Sequence, residues 1–262
     1  MDHGEIICNE PLDHGYNRIK FHVPDIAAEA QAGQFVHVRI AALRDRILRR
    51  PFSISNVEED GSLTVIYKVV GDGTTVLSML PAKTPCDLMG PLGKAYTMPE
   101  AGEIPIIVAG GYGSAATYLL AKRAPTKGIL LLGARCKDDL ILTEEFAATG
   151  FEVRCSTDDG SFGHKGLVTD LLDNVFEEFK GKKLRFYACG PTPMLMALGP
   201  ILLDKGYADG ELSLDHLMCC GVGACFACVV RIKADNEDGW RYARTCKEGP
   251  VFRADAVWYG DK

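Results

Sequence analysis

Long apolar runs, positive charge and histidine are all scarce in this chain, and each shortage removes a class of function. One uncharged run, Ile104 to Ala121, approaches the length of a membrane span. It holds Pro105 and the sequence Ala109-Gly110-Gly111-Tyr112-Gly113-Ser114, so it reads as strand, tight turn and helix, not as a span. Lys and Arg number 29 against 35 Asp and Glu, giving a net charge of -6 and a pI near 5.6. That leaves no basic field to gather phosphate backbones, and a nucleic-acid partner is excluded. The first residues, MDHGEIICNEPLD, carry neither a basic lead nor an apolar core, and a cytoplasmic protein is expected. None of the six histidines completes a Ser/His/Asp or Cys/His set, and no paired carboxylates suggest hydrolysis. His216 alone lies beside a candidate site and reads as a polar contact.

Cysteine, by contrast, is plentiful and unevenly placed. Five of the ten cysteines fall at position 219 or later. In a chain this long, such crowding fits metal binding in a reducing compartment better than a disulfide scaffold. Cys220, Cys225, Cys228 and Cys246 follow C-x4-C-x2-C…C, the plant-type spacing of a [2Fe-2S] cluster. Gly221 and Gly223 suit a loop wrapped closely round an inorganic core, where backbone without a Cβ can donate N–H bonds to sulfide. Structural zinc, the main competitor, usually takes two short pairs of ligands, whereas Cys246 stands alone. A redox-inert set of thiols is the third possibility, and Cys219 leaves open which of two neighbours would bond to metal.

From Glu5 to about Pro99, short β-rich runs separated by turn residues predict a small antiparallel barrel, with strands at Arg18–Val23, Gln34–Ile40, Phe52–Asn56, Leu63–Val70 and around Cys86–Met89. Arg49-Arg50-Pro51-Phe52-Ser53-Ile54 offers an arginine for a pyrophosphate and a hydroxyl for the edge of a planar ring, or else is a solvated basic turn. Tyr67 to Thr74 predicts a strand opening into a Gly-x-Gly-Thr turn with backbone N–H groups for phosphate.

Beyond a linker at Pro99–Glu103 the pattern becomes alternating strands and helices. Strands are expected at Ile104–Ala109, Gly128–Gly133, Phe151–Cys155 and Leu184–Cys189, and helices at Ser114–Arg123, Thr143–Thr149, Leu167–Phe179 and Pro193–Lys205. This predicts a doubly wound parallel sheet. Gly111 and Gly113 open a G-x-G-x-x-A stretch between the first strand and its helix, where phosphate meets a helix N-terminus. The acidic residue expected about 20 positions later is replaced by Arg135, so a variant dinucleotide pose is expected. Asp158 and Asp159 either repel a 2′-phosphate, favouring NAD over NADP, or are turn residues. Cys189, at the carboxyl end of the fourth strand, is a buried small residue or a nicotinamide neighbour.

Taken in order, RRPFSI, YKVVGDGT, GPLG, AGGYGSA, STDDGS, YACGPTPML and CGVGACFAC…C make the whole chain resemble the electron-transfer subunits of bacterial NAD-dependent dihydroorotate dehydrogenases, within the ferredoxin reductase superfamily. The resemblance implies an α+β multi-domain fold. Residues 1–100 would be an antiparallel β-barrel for FAD, 101–210 a doubly wound parallel α/β unit for NAD, and 211–262 a [2Fe-2S] segment. It implies FAD contacts from Arg50, Pro51, Phe52, Ser53, Ile66, Tyr67, Lys68, Gly73 and Thr74, and cluster ligation by Cys220, Cys225, Cys228 and Cys246. A separate FMN-containing catalytic subunit would dock at the cluster, near Val222, Phe226 and Val229, in a heterotetramer of two of each subunit. Electrons would pass from that FMN through cluster and FAD to NAD, in pyrimidine biosynthesis. Two features depart from the family pattern: in the nucleotide turn Ala109 stands for a glycine and Ala115-Ala116 for the expected proline, and Cys219 stands for a small apolar residue. Small subunits of NADH-dependent ferredoxin:NADP oxidoreductases and sulfide dehydrogenases share the plan, with an aspartate where this chain has Cys220. A zinc-stapled nucleotide-binding regulatory module is the alternative from another class.

Overall fold

The computed structural model describes residues 2–40, 48–214 and 217–260. The first seven strands are β1 (Asp2–Pro11), β2 (Tyr16–His22), β3 (Phe35–Arg39), β4 (Arg50–Ser53), β5 (Asn56–Val57), β6 (Ser62–Lys68) and β7 (Pro85–Leu92). They pair antiparallel in the order β4-β3-β7-β1-β2-β6-β5. The two ends of that order, β4 and β5, are consecutive in the chain. Between them the Ile54 N–H donates to the Gln34 carbonyl and the Ser55 N–H to Thr64, each at 2.9 Å, so the sheet curls into a barrel.

β1 has no counterpart among the expected strands. Its sequence is largely polar, and pairing with β2 on one side and β7 on the other makes it a strand. The stretch expected as a Gly-x-Gly-Thr turn instead starts helix α2 (Asp72–Ser78), which follows α1 (Pro24–Glu29). The Thr74 hydroxyl accepts from the N–H groups of Val70 (2.9 Å) and Gly71 (3.2 Å) and donates to the Gly71 carbonyl, which closes a helix start.

The second sheet holds β8 (Ile104–Gly110), β9 (Ile129–Ala134), β10 (Glu152–Thr157), β11 (His164–Lys165), β12 (Leu184–Cys189), β13 (Glu211–Ser213) and, far along the chain, Val251–Arg253. Its order is β11-β10-β9-β8-β12-β13, parallel throughout, with Val251–Arg253 antiparallel on the β13 edge. Strand alternation gives it two apolar faces. Ile107, Leu130 and Tyr187 pack with α3 (Gly113–Arg123) and α4 (Thr143–Ala148) toward the barrel, while Ile106, Leu131 and Phe186 pack with α5 (Leu172–Glu178) and α6 (Thr192–Asp204). The helix expected at Leu167–Phe179 is shorter, because a 3-10 turn at Val168–Leu171 precedes α5. From Leu217 the chain forms a loop, a hairpin of β14 (Val229–Lys233) and β15 (Trp240–Arg244), and α7 (Thr245–Glu248), then returns to the sheet as β16 (Val251–Arg253).

The two sheets meet through directed bonds. The Tyr96 hydroxyl donates to Ala188 O (2.9 Å), Tyr187 donates to Thr97 O (2.9 Å), and the Thr97 N–H and hydroxyl donate to the Glu211 carboxylate at 2.9 and 2.8 Å. Lys68–Asp139 (2.8 Å) and Arg18–Glu145 (2.6 Å) bridge them nearer the surface.

Candidate functional site

The cysteine loop is shaped by left-handed backbone: Gly221 at φ 70°, Gly223 at 83° and Phe226 at 57°. This curl aims N–H groups inward at a thiol. At Cys220, burial works against ionisation, but the N–H groups of Val222, Cys225 and Ala224 and the Cys225 thiol outweigh it and bring the group down to about 6. Cys246, at the start of α7, goes the other way: burial first, and then the adjacent Cys228 thiol, push it up to about 12. The Thr245 N–H donates to Cys228 O (2.9 Å), which holds those two cysteines together. Arg244 donates to Gly223 O at 2.9 Å and lies 4.9 Å from the Phe226 ring centre, tying the loop to the hairpin.

The thiols thus form two pairs, Cys220 with Cys225 and Cys228 with Cys246. Among the described residues no three Cys, His, Asp or Glu side chains gather round one point. Two pairs are what two bridged irons need, and the donor set fits a [2Fe-2S] cluster. Cys228 and Cys246 are buried against Phe35 of β3, whereas Cys225, Val222 and Phe226 are exposed on the rim. His216 lies outside the described residues.

Arg50, Pro51, Phe52 and Ser53 form the half-buried strand β4. A Cβ built on Gly73 would sit 3.0 Å from the Arg50 Nε, so this arginine lies over the start of α2, where Gly73 and Thr74 are. Pro51, Phe52 and Ser53 line a narrow crevice whose other wall is Ser213, Met218 and Pro250, next to the cysteine loop. Tyr67 is buried behind Phe52, ring centres 5.5 Å apart, and its hydroxyl, pushed up to about 12 by burial, donates to Asn9 at 3.3 Å. The Ile66 side chain is in the barrel core, which leaves main chain to meet a ligand. β5 pairs with Leu63 and Thr64 of β6. A cationic side chain over a helix start suits a pyrophosphate, and the adjoining crevice carries the Phe52 ring and Ser53 hydroxyl that a flavin ring would meet. Lys68 points elsewhere, reaching Asp139 over the Tyr16 ring into a second cavity.

That cavity, about 560 Å³, opens at the carboxyl ends of β8, β9, β10 and β12, where open α/β sheets bind ligands. Gly111, Arg135, Asp158 and Pro191 line it. Gly113 does not: its Cβ would fall 2.0 Å from Cys189 O, so this glycine lets α3 pack on β12. Cys189 is buried and also outside the lining. The two aspartates separate as well. Asp158 faces the cavity, whereas Asp159 accepts from the Ser161 N–H (2.9 Å) and hydroxyl (2.6 Å), a turn residue.

A family model described as the iron-sulfur cluster binding domain of dihydroorotate dehydrogenase B matches residues 215–258. A protein of Fusobacterium nucleatum subsp. nucleatum named dihydroorotate dehydrogenase B (NAD(+)), electron transfer subunit, is 39% identical over 231 residues, covering 86% of this chain and 86% of that protein. One of the same name from Desulforamulus reducens is 38% identical over 245 residues, 92% of each. The chain belongs to this family of electron transfer subunits. A solved structure described as an NADH-dependent reduced ferredoxin-NADP oxidoreductase superposes with a TM-score of 0.81 at 30% identity, covering 99% of this chain and 91% of that one.

Within this family framework, sequence reasoning passed over several residues that shape the site. Phe35 and His37 alternate with Val36 and Val38 on β3; the valines enter the barrel core, while Phe35 and His37 face the cysteine loop. The run QFVHV reads as an unbroken buried strand, so no signal in it marks the second face. Arg244 could have been noticed as a cation two residues before Cys246.

Proposed function

We propose that this chain is the electron-transfer subunit of an NAD-dependent dihydroorotate dehydrogenase, taking electrons from the FMN of a separate catalytic subunit and delivering them to NAD. The observation that carries the reading is that one chain holds an exposed apolar rim, two thiol pairs, a crevice on β4 and a cavity at the sheet's carboxyl edge. When bound, the [2Fe-2S] cluster moves single electrons and FAD converts them to the hydride that NAD accepts.

The protein's residues hold and orient. Cys220, Cys225, Cys228 and Cys246 would ligate iron, Arg50 and the α2 start would hold the FAD pyrophosphate, and Phe52 and Ser53 would contact its ring. Gly111 and the cavity receive NAD, and Asp158 disfavours a 2′-phosphate there. Gly113 and Cys189 act by packing. Leu217 (84% exposed), Val222 (50%) and Phe226 (60%) form the apolar rim on which the catalytic subunit docks, in a heterotetramer of two of each subunit. Four ligand thiols held free of disulfides suit a reducing compartment, and we place the complex in the cytoplasm; among the described residues no helix is long and apolar enough to cross a membrane.

A second reading, the small subunit of an NADH-dependent ferredoxin:NADP oxidoreductase, is favoured by the TM-score of 0.81 over 99% of the chain. Anaerobic purification with assays of iron, sulfide, zinc and flavin, followed by mixing with the FMN subunit, tests both. Dihydroorotate-dependent NAD reduction supports the first reading. Cofactors without that activity, but with ferredoxin-dependent turnover, favour the second. A colourless zinc protein overturns both.

A further inference from the structure

His37 is fully buried, and neither ring nitrogen has a hydrogen-bond partner among the described residues. Leaving such a group unpaired forfeits its hydration with nothing in return, so a buried imidazole with two orphaned nitrogens needs a reason. Its surroundings supply one. A Cβ on Gly221, the residue after Cys220, would lie 2.8 Å from both Cε1 and Nε2 of His37, so the ring lies directly against the cysteine loop. Two residues earlier on the same face, Phe35 packs on Cys228 and Cys246. β3 therefore presents an apolar ring to one thiol pair and a polar ring to the loop of the other. The nearby Arg49 is turned to Asp87, donating to its O at 2.9 Å and its Oδ2 at 2.7 Å.

We propose that His37 donates an N–H hydrogen bond to a sulfur atom on the Cys220/Cys225 side of the cluster, either a bridging sulfide or a cysteinyl sulfur, and thereby raises the cluster's reduction potential. The inference rests on the [2Fe-2S] reading. A donor aimed at anionic sulfur stabilises the reduced cluster, which carries one more negative charge, more than the oxidised one. His37 also pairs in register with Pro51 of β4, so the flavin strand and the cluster donor share one pair of strands. His37 is a positioning and tuning residue, and no proton transfer is assigned to it.

The test uses the full chain with cluster and FAD in place. Protein labelled with ¹⁵N-histidine is reduced, and pulsed EPR of the cluster is searched for a weak ¹⁵N coupling. The coupling is expected in the wild type and absent in His37→Phe. An EPR-monitored redox titration should place the His37→Phe midpoint below the wild type, with His37→Gln, which keeps an N–H donor, lying between them. A wild-type cluster without histidine coupling, a coupling that persists in His37→Phe, or an unchanged midpoint in that variant overturns the proposal. Should His37→Phe fail to hold iron, the wild-type spectrum alone decides. A wild type with no iron–sulfur signal is a different failure, that of the cluster reading itself.

Discussion

Gly73 lies against Arg50, with a Cβ on the glycine falling 3.0 Å from the arginine Nε. The contact joins a barrel strand to the start of a short helix and leaves one cation over backbone that can meet phosphate. Charge-assisted bonds of this kind contribute about 1.5–3 kcal/mol, so Arg50→Gln should weaken FAD binding roughly 10- to 100-fold. Gly73→Val should weaken it too, by pushing the guanidinium aside. Flavin fluorescence titration of the FAD-free protein measures both, and an unchanged Kd for Arg50→Gln removes this arginine from the flavin site.

Cys219 and Cys220 make a sharper pair. Three inward N–H groups and the Cys225 thiol lower Cys220, and its thiolate is the form that bonds to iron. Cys220→Ala should lose the cluster, whereas Cys219→Ala should keep about two irons per chain. Iron assay and the visible spectrum decide between them; the reverse result would shift ligation by one residue.

Much of this site was legible because its chemistry needs short, local patterns. The C-x4-C-x2-C spacing and the RPFS strand each lie within one loop or strand, and both occupy places consistent with the ligands they imply. What stayed hidden depends on contacts distant in sequence. β1 became a strand through partners on both sides, and β13 and β16 are three-residue strands that an existing sheet edge supports. His37 meets Gly221 across 184 positions, beyond any periodicity. The glycines carried a subtler lesson: Gly111 and Gly113 share one motif, yet one lines the cavity and the other exists to admit a carbonyl.

The two neighbouring aspartates give a test of cofactor choice. Asp158 lines the cavity, where its charge would oppose the 2′-phosphate of a nucleotide bound as proposed, whereas the Asp159 carboxylate is engaged by Ser161. Asp158→Asn should lower the KM for NADP about tenfold with little change for NAD, as expected for removing one like charge worth about 1–2 kcal/mol at short range. Asp159→Asn should leave the NAD/NADP ratio unchanged. Steady-state kinetics with both nucleotides measures this, and equal effects of the two variants would mean that the pocket does not read charge at Asp158.

Asp87 links the site to pH. Its hydrogen bond from Arg49 at 2.7 Å, only partly opposed by burial, holds its carboxyl below the ordinary value of 3.8. The unfolded chain therefore binds the proton more readily than the folded one. The stabilisation is fully present above about pH 4 and is lost as pH falls below 3.8 through the lower folded value. With the side chain only 20% exposed, Asp87→Asn should cost about 1–2 kcal/mol at pH 7. The same substitution should cost progressively less as the wild-type carboxylate itself becomes protonated. Melting temperatures of both proteins, stripped of cofactors and recorded from pH 7 down to about pH 2.5, should therefore converge in acid. A gap that stays constant across that range would mean that the Arg49 contact adds no charge-dependent stability, and that β3, β4 and β7 are held there by their backbone pairing and buried side chains alone.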